Sequence, residues 1–398
     1  MVKHAGAVSS IENLDPHDGN YAIDVINHIL ELAVSQNASD IHLQPRTQGL
    51  DVLLRIDGVL SVQRSIPGGG ESDPVNRLMV MAGLPTYRSG QPMEGRLRLE
   101  DGKGPLSNVS FRLGIYPTIH GPRAVIRLLR KSDAHDSIAT LGLPGDVTET
   151  LEQLSRQTDG AVLMSGPAGS GKTTTLYAML RNIADGVPRR SVVTIEDPVE
   201  SVIPRISQSE LDPTGGMTLA SALRSAVRQD SEVLLVSEIR DPETAEAAFQ
   251  ASLTGHLVFS SLHGTDVAAS LRRLVQFGVP DFVIRSGLRA IVTQRLLRRL
   301  CADCCASGKS AVDLCPACMG TGYNGRIAIA SCVRFDGSDP VGDAVSDALS
   351  AGQSTDQMRR VAREAGGTDL HRRAELLVES GLTDAAEAYR VLGAATSV

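Results

Sequence analysis

Gly166-Pro167-Ala168-Gly169-Ser170-Gly171-Lys172-Thr173 decides the fold of this chain. It fits G-x-x-x-x-G-K-[ST], a loop whose glycines let backbone N–H groups converge on phosphate oxygens. The apolar run Ala161-Val162-Leu163-Met164 precedes it and reads as a buried strand. Thr174-Thr175-Leu176-Tyr177-Ala178-Met179-Leu180 follows and reads as a helix, whose N-terminus adds favourable partial charge for an anion. In this strand–loop–helix context Gly166 to Thr174 form a nucleotide site. Lys172 reaches the β- and γ-phosphates of ATP, and the Thr173 hydroxyl binds Mg²⁺.

Around this loop the chain alternates helix and strand, the pattern of a parallel α/β sheet. A helix starts near Gly145, and buried strands are expected at Ser191–Ile195, Val233–Val236 and Leu257–Ser261. Upstream, residues 1–20 are polar and read as a flexible N-terminus, and Pro67-Gly68-Gly69-Gly70 as a loop. Residues 21–130 read as a small α+β domain: a helix from Tyr21, a strand ending in the Asp57-Gly58 turn, a helix over Pro74–Ala82, and strands at Asn108–Tyr116 and Arg123–Leu129. A linker spans 131–143, the ATPase core 144–296, a tetracysteine segment 297–330 and a helical region 331–398.

Composition narrows the function. The chain has 398 residues, enough for two or three domains, and a net charge of -7, so no global basic field recruits nucleic acid. Aromatics are 3% with no Trp, which leaves few platforms for stacking bases. The start lacks the apolar core of a signal peptide, and no apolar run is long enough to span a bilayer. The expectation is a cytoplasmic protein that meets a membrane only through partners.

Four clusters follow the loop. Thr194-Ile195-Glu196-Asp197-Pro198-Val199-Glu200 puts carboxylates at a strand end, where α/β proteins bind ligands. Glu196 is the chosen general base or water-orienting group. Glu238, closing the strand Val233–Val236, either holds Mg²⁺ through water or orients the attacking water. His256 and His263 bracket a strand and cannot share a face at an odd spacing. His263, at the C-terminal end, is placed to sense the γ-phosphate; His256 reads equally as a hydrogen-bonded structural histidine. Five of the six cysteines lie between Cys301 and Cys318. Cys301-x-x-Cys304 and Cys315-x-x-Cys318 supply four thiolates for a closed, structural tetrahedral Zn²⁺ site, with Cys305 spare or an alternative ligand.

Taken together, these clusters resemble the secretion ATPases of type II secretion and type IV pilus assembly. The likeness extends to Ala38-Ser39-Asp40-Ile41-His42, Arg55-Ile56-Asp57-Gly58, Gln91–Arg96, Leu223–Asp230, Glu238-Ile239-Arg240-Asp241, Leu253-Thr254-Gly255-His256, Gln294-Arg295-Leu296 and Gly320-Thr321-Gly322-Tyr323. It implies a RecA-like P-loop ATPase core preceded by a PAS-like α+β domain. It further implies a homo-hexamer, an inner-membrane platform protein as partner and a pilin-like fibre as cargo. In that scheme Arg112 and Arg127 of an adjacent subunit stabilise transition-state charge. Departures from the family pattern are Ser237 for Gly, Gly264 for Thr, Gln44 for Glu, a shorter metal loop and little of an N-terminal docking domain. Two other readings are a RecA-like nucleic-acid motor, for which Arg285, Arg289, Arg295, Arg298 and Arg299 would form a basic stretch, and a catalytically weak assembly factor. That arginine stretch reads more simply as a solvated helix face or subunit contact.

Overall fold

The structure is a computed structural model. It describes residues 14–67, 73–88, 90–99, 106–107, 109–130, 135–212, 215–305 and 315–394. Most of residues 1–20, glycines 68–70, the first residues of the linker and the middle of the metal loop lie outside these. The chain divides into two compact units, Met1–Lys131 and Ser132–Val398.

In the first unit, helix α1 (Tyr21–Ser35) precedes strands β1 (Asp40–Arg46), β2 (Gly49–Ile56) and β3 (Val59–Ile66). Helix α2 (Pro74–Met81), β4 (Met93–Arg96), β5 (Val109–Thr118) and β6 (Gly121–Arg130) complete it. The six-stranded sheet runs β3-β2-β1-β6-β5-β4 and is antiparallel throughout. The two helices cover one face. Val25, Ile29 and Leu30 of α1 and Leu78 of α2 pack on Ile41, Leu43, Leu54, Leu113 and Ile126. Asp73 starts α2 by accepting from the amides of Val75 and Asn76, with Pro74 in the first turn where no N–H is needed.

The second unit opens with α3 (Gly145–Ser155), β7 (Gly160–Ser165), α4 (Lys172–Ala184), β8 (Val192–Glu196) and β9 (Ser207–Glu210). It continues with α5 (Leu219–Ala226), β10 (Val233–Val236), α6 (Pro242–Leu253), β11 (Leu257–Leu262), α7 (Val267–Gln276) and α8 (Asp281–Gly287). Strands β12 (Leu288–Leu300) and β13 (Tyr323–Arg334) flank the cysteine hairpin. Helices α9 (Pro340–Ser350), α10 (Thr355–Glu364), α11 (Leu370–Glu379) and α12 (Ala385–Leu392) follow.

The seven-stranded sheet has the order β13-β12-β7-β11-β10-β8-β9. All its pairings are parallel except β12 with β13. Strands β7, β10 and β11 are buried along their whole length, as a sheet covered on both faces requires. Alternate residues feed different cores. Ala161, Leu163, Val258 and Leu262 pack with Phe249 of α6 and Leu271 of α7. Val162, Met164, Leu257 and Phe259 pack with Leu151 of α3 and Leu176 and Leu180 of α4.

Three sequence expectations need correction. Of the arginine stretch, Arg285 lies on helix α8 with its side chain 46% exposed, whereas Arg289, Arg295, Arg298 and Arg299 lie on the strand β12. Their inner members are engaged within the unit: Arg289 pairs with Asp159, and Arg298 with Glu387. The long buried core segment Leu288–Leu297 favours a central strand, and β12 crosses the position-296 boundary drawn from sequence. The strands expected to end at Tyr116 and to start at Arg123 instead run to Thr118 and from Gly121, because Pro117 pairs with Pro122 and the turn is Ile119-His120.

Candidate nucleotide and metal sites

Parallel register brings the C-terminal ends of β7, β8, β10 and β11 to one edge of the sheet, where an α/β fold binds ligands. The glycine-rich loop leaves β7 there and enters α4. Gly169 and Gly171 have φ of +74° and +90°, a left-handed backbone that side chains resist. Gly166 is a glycine for a different reason: a Cβ there would come 2.6 Å from the Gln294 carbonyl oxygen. Pro167, Ala168, Gly169 and Thr174 are exposed, and Thr173 is half-buried beside the start of α4.

Lys172 folds back on its own loop. Its Nζ donates to the carbonyls of Gly166 at 2.7 Å and Pro167 at 3.0 Å. Burial lowers its pKa from the ordinary lysine value; Glu238 opposes that shift and Arg295 adds to it. The ammonium therefore lies in the field of one carboxylate and one guanidinium. Ser170 Oγ is buried and has no hydrogen-bond partner among the described residues. An orphaned hydroxyl, a folded-back lysine and a helix N-terminus at one loop fit a polyanionic ligand.

Glu238 follows β10 and keeps a side chain 14% exposed. Its Oε1 lies 2.8 Å from His263 Nε2, and its Oε2 accepts from Arg240 Nε at 2.8 Å. The structure thus brings Glu238, His263 and Lys172 into one neighbourhood. Glu196 is placed differently. At 2% exposure its Oε1 accepts from Thr194 Oγ1 at 2.5 Å and Gln208 Nε2 at 3.1 Å. Its Oε2 accepts a short bond from the Tyr177 hydroxyl. Burial, reinforced by that bond and the Glu196 charge, pushes the Tyr177 phenol above its ordinary range. Glu196, at 2% exposure with three hydrogen bonds, is thus the more enclosed of the two carboxylates, and Glu238, at 14%, the more open.

His256 accepts the plainer reading, with Nδ1 at 3.2 Å from the Ala251 carbonyl oxygen at the end of α6. Gly264 also has a packing reason. A Cβ there would come 2.4 Å from Ser270 Oγ and 2.6 Å from Ser165 Oγ, two hydroxyls that bond each other at 2.7 Å.

Arg112 and Arg127 belong to the first unit and are cross-strand neighbours on β5 and β6. Arg112 pairs with Glu94, and Arg127 Nε donates to Asp40 Oδ1 at 3.1 Å. Both side chains remain largely open, at 45% and 67% exposure.

The cysteines converge as their spacing predicts. The Sγ atoms of Cys301, Cys304, Cys315 and Cys318 lie within 4.8 Å of one another and all four residues are buried. Cys301 and Cys315 are 3.9 Å apart, and Cys304 and Cys318 3.6 Å. A Zn–S bond of about 2.3 Å implies tetrahedral edges of about 3.8 Å, so the thiols already hold zinc spacing. Backbone amides of Cys318 and Ala317 lower the Cys315 thiol pKa, while burial and the neighbouring thiols raise that of Cys304. Cys305 adjoins the cluster, its Sγ 3.7 Å from that of Cys304, and its thiol donates to the Gly322 carbonyl at 3.3 Å.

Sequence reasoning assigned no role to Tyr177 or Gln208 and met Gln294 and Arg295 only in the family likeness and, for Arg295, the basic stretch, although all four contact the residues above. Their partners are distant along the chain; Thr175 Oγ1, for example, donates to Gln294 Oε1 across 119 positions. No helix among the described residues is long and apolar enough to cross a membrane.

Comparison with known proteins follows the same lines. The family model described as "Type II/IV secretion system protein" matches residues 15–390. The Type II secretion system protein HxcR of Pseudomonas aeruginosa is 39% identical over 381 residues, covering 95% of this chain and 79% of HxcR. The Type IV pilus assembly ATPase PilB of Thermus thermophilus is 36% identical over 370 residues, covering 88% of this chain but only 40% of PilB. Among solved structures, the Legionella pneumophila ATPase DotB superposes with a TM-score of 0.70 at 22% identity. That match covers 93% of this chain and 96% of DotB and shows the RecA-like fold.

Proposed function

Since the chain belongs to the Type II/IV secretion system protein family and is an ATP hydrolase of that family, we propose that it works as a hexameric cytoplasmic motor. It docks at the inner membrane through a platform protein and powers assembly of a pilus or pseudopilus. The observation that carries the catalytic part is the convergence of Lys172, Glu238 and His263 beside a loop with an orphaned hydroxyl.

In this reading Lys172 leaves the carbonyls of Gly166 and Pro167 and pairs with the β- and γ-phosphates. Gly166 to Thr174 cradle the phosphate chain, and Thr173 holds Mg²⁺, which neutralises charge on the phosphoryl group. Glu238 orients the attacking water and takes its proton. His263, paired to the same carboxylate, registers the γ-phosphate. Glu196 becomes a positioning residue that fixes α4 to β8 through Tyr177. Arg112 and Arg127 act from an adjacent subunit, Arg112 first giving up Glu94. Zinc at Cys301, Cys304, Cys315 and Cys318 holds the hairpin between β12 and β13 rather than taking part in hydrolysis.

The test is complementation in trans. Lys172→Ala and Arg112→Ala subunits, each inactive alone, are mixed and phosphate release is followed. An arginine supplied in trans contributes about 10³–10⁵ in rate, so mixed rings with some wild-type interfaces recover activity. No recovery at any mixing ratio contradicts catalysis across the subunit boundary.

A further inference from the structure

Strand β12 passes directly under the nucleotide loop, and two adjacent residues on it make different connections. The Gln294 side chain is buried between the loop and α4. Its Oε1 accepts from Thr175 Oγ1 at 2.9 Å, and its Nε2 donates to the Ser170 carbonyl at 2.9 Å. A Cβ on Gly171 would come 2.5 Å from that Nε2, so the loop sits on this amide with no space between. Arg295 is 7% exposed; a Cβ on Gly166 would come 3.0 Å from its Nη1, and from there the guanidinium spans to a second segment. Nη1 donates to the Gln294 carbonyl at 2.8 Å, and Nη2 to the Thr265 carbonyl at 3.0 Å, with the Gly264 carbonyl at 3.4 Å. Thr265 and Gly264 directly follow His263.

Among the described residues no carboxylate forms an ion pair with Arg295; the nearest acidic influence is the charge of Asp266. A buried guanidinium satisfied by carbonyls alone is costly to keep. Hydrophobic residues fill such a strand position at no such cost. The forked donor geometry of arginine suits it for tying two backbone segments together.

We propose that Gln294 and Arg295 are positioning residues for hydrolysis with separable tasks. Gln294 sets the nucleotide loop for phosphate binding. Arg295 ties the segment after His263 to the strand beneath that loop and so fixes His263, and through it Glu238, relative to the γ-phosphate. Neither side chain is required to touch the nucleotide. The inference rests on the ATP-hydrolase reading above and adds a division of labour between affinity and turnover.

The experiment measures equilibrium affinity for a fluorescent ADP analogue and steady-state phosphate release with ATP and Mg²⁺ on the full chain. Gln294→Ala is expected to weaken ADP binding and raise KM about tenfold or more. Arg295→Gln is expected to lower kcat about tenfold or more, with ADP affinity within about threefold of wild type. Arg295→Lys retains the charge but not the fork; it shows the same direction and serves if the Gln variant does not fold. In a His263→Ala background, Arg295→Gln lowers kcat by less than about twofold further, because the group it positions is gone. Parallel losses of ADP affinity and kcat in both variants, or fully additive losses with His263→Ala, overturn the proposal. A wild-type chain that neither binds nor cleaves ATP overturns the hydrolase reading itself, and that result is visible before any variant is made.

Discussion

His263 Nε2 stands 2.8 Å from Glu238 Oε1, joining the C-terminal ends of two neighbouring parallel strands. Its counterpart one strand away, Glu196, is instead closed in by Tyr177, Thr194 and Gln208. The two carboxylates therefore separate by environment. Glu238→Gln is expected to lower kcat by about 10²-fold or more while nucleotide binding stays within a few-fold, as for loss of a general base. Glu196→Gln is expected to lower the melting temperature and to cost less than about tenfold in kcat. Phosphate release and thermal unfolding measured on both variants decide this. A larger kcat loss in Glu196→Gln, at unchanged melting temperature, reverses the assignment.

The cysteine hairpin gives a second expectation. Four buried thiols at 3.6–3.9 Å pair spacing have no apolar core of their own; the cluster consists of the cysteines with Ala317 packed alongside. Zinc is expected at one equivalent per chain by elemental analysis. Chelation, or Cys304→Ser, lowers the melting temperature and exposes the hairpin to protease. Purified, folded chain with only trace zinc and unchanged protease resistance under chelator contradicts the metal assignment.

Helix α12 is anchored by a buried charge. Glu387 is fully buried and accepts from the Arg298 amide and guanidinium at 2.9 Å and from Arg390 at 2.6–2.7 Å. Burial alone raises its pKa, but the bonds from Arg390 and Arg298 prevail and hold it at about 2. The folded value is depressed, so its stabilisation is present above the ordinary glutamate value of 4.5 and is lost as pH falls from there toward about 2. Glu387→Gln leaves Arg298 without its charge partner and is expected to cost about 3–5 kcal/mol at pH 7. Urea unfolding of variant and wild type should show that gap narrowing below pH 4.5. A gap that is the same at pH 7 and pH 3 contradicts the ionised pairing.

Sequence patterning exposed the features that are local. The glycine-rich loop, the apolar runs of β7, β10 and β11 and the two C-x-x-C pairs each lie within a few residues. Their chemistry is set by that short spacing. The polar, half-exposed β3 had no such pattern and was not distinguished from the turn before it. Strand β12 was obscured by its arginines, which suggested a solvated helix because their partners are far away in sequence. Asp159 for Arg289 and Glu387 for Arg298 become neighbours only in the folded sheet. The proposed exchange of roles between Glu196 and Glu238 has the same origin. Both acids end strands, and only the tertiary position of Tyr177 and Gln208 tells which one is enclosed. Gly264, a departure from the family pattern, is explained by Ser165 and Ser270 occupying the space of a side chain.

The most direct measurement is phosphate release from ATP by purified chain with Mg²⁺, wild type beside Lys172→Ala. Lys172 is the side chain that the proposed mechanism moves from the loop carbonyls to the phosphates. The account predicts steady turnover by wild type and loss of at least about 10²-fold in the variant, with the fold intact by thermal unfolding. Equal rates in the two proteins would contradict it.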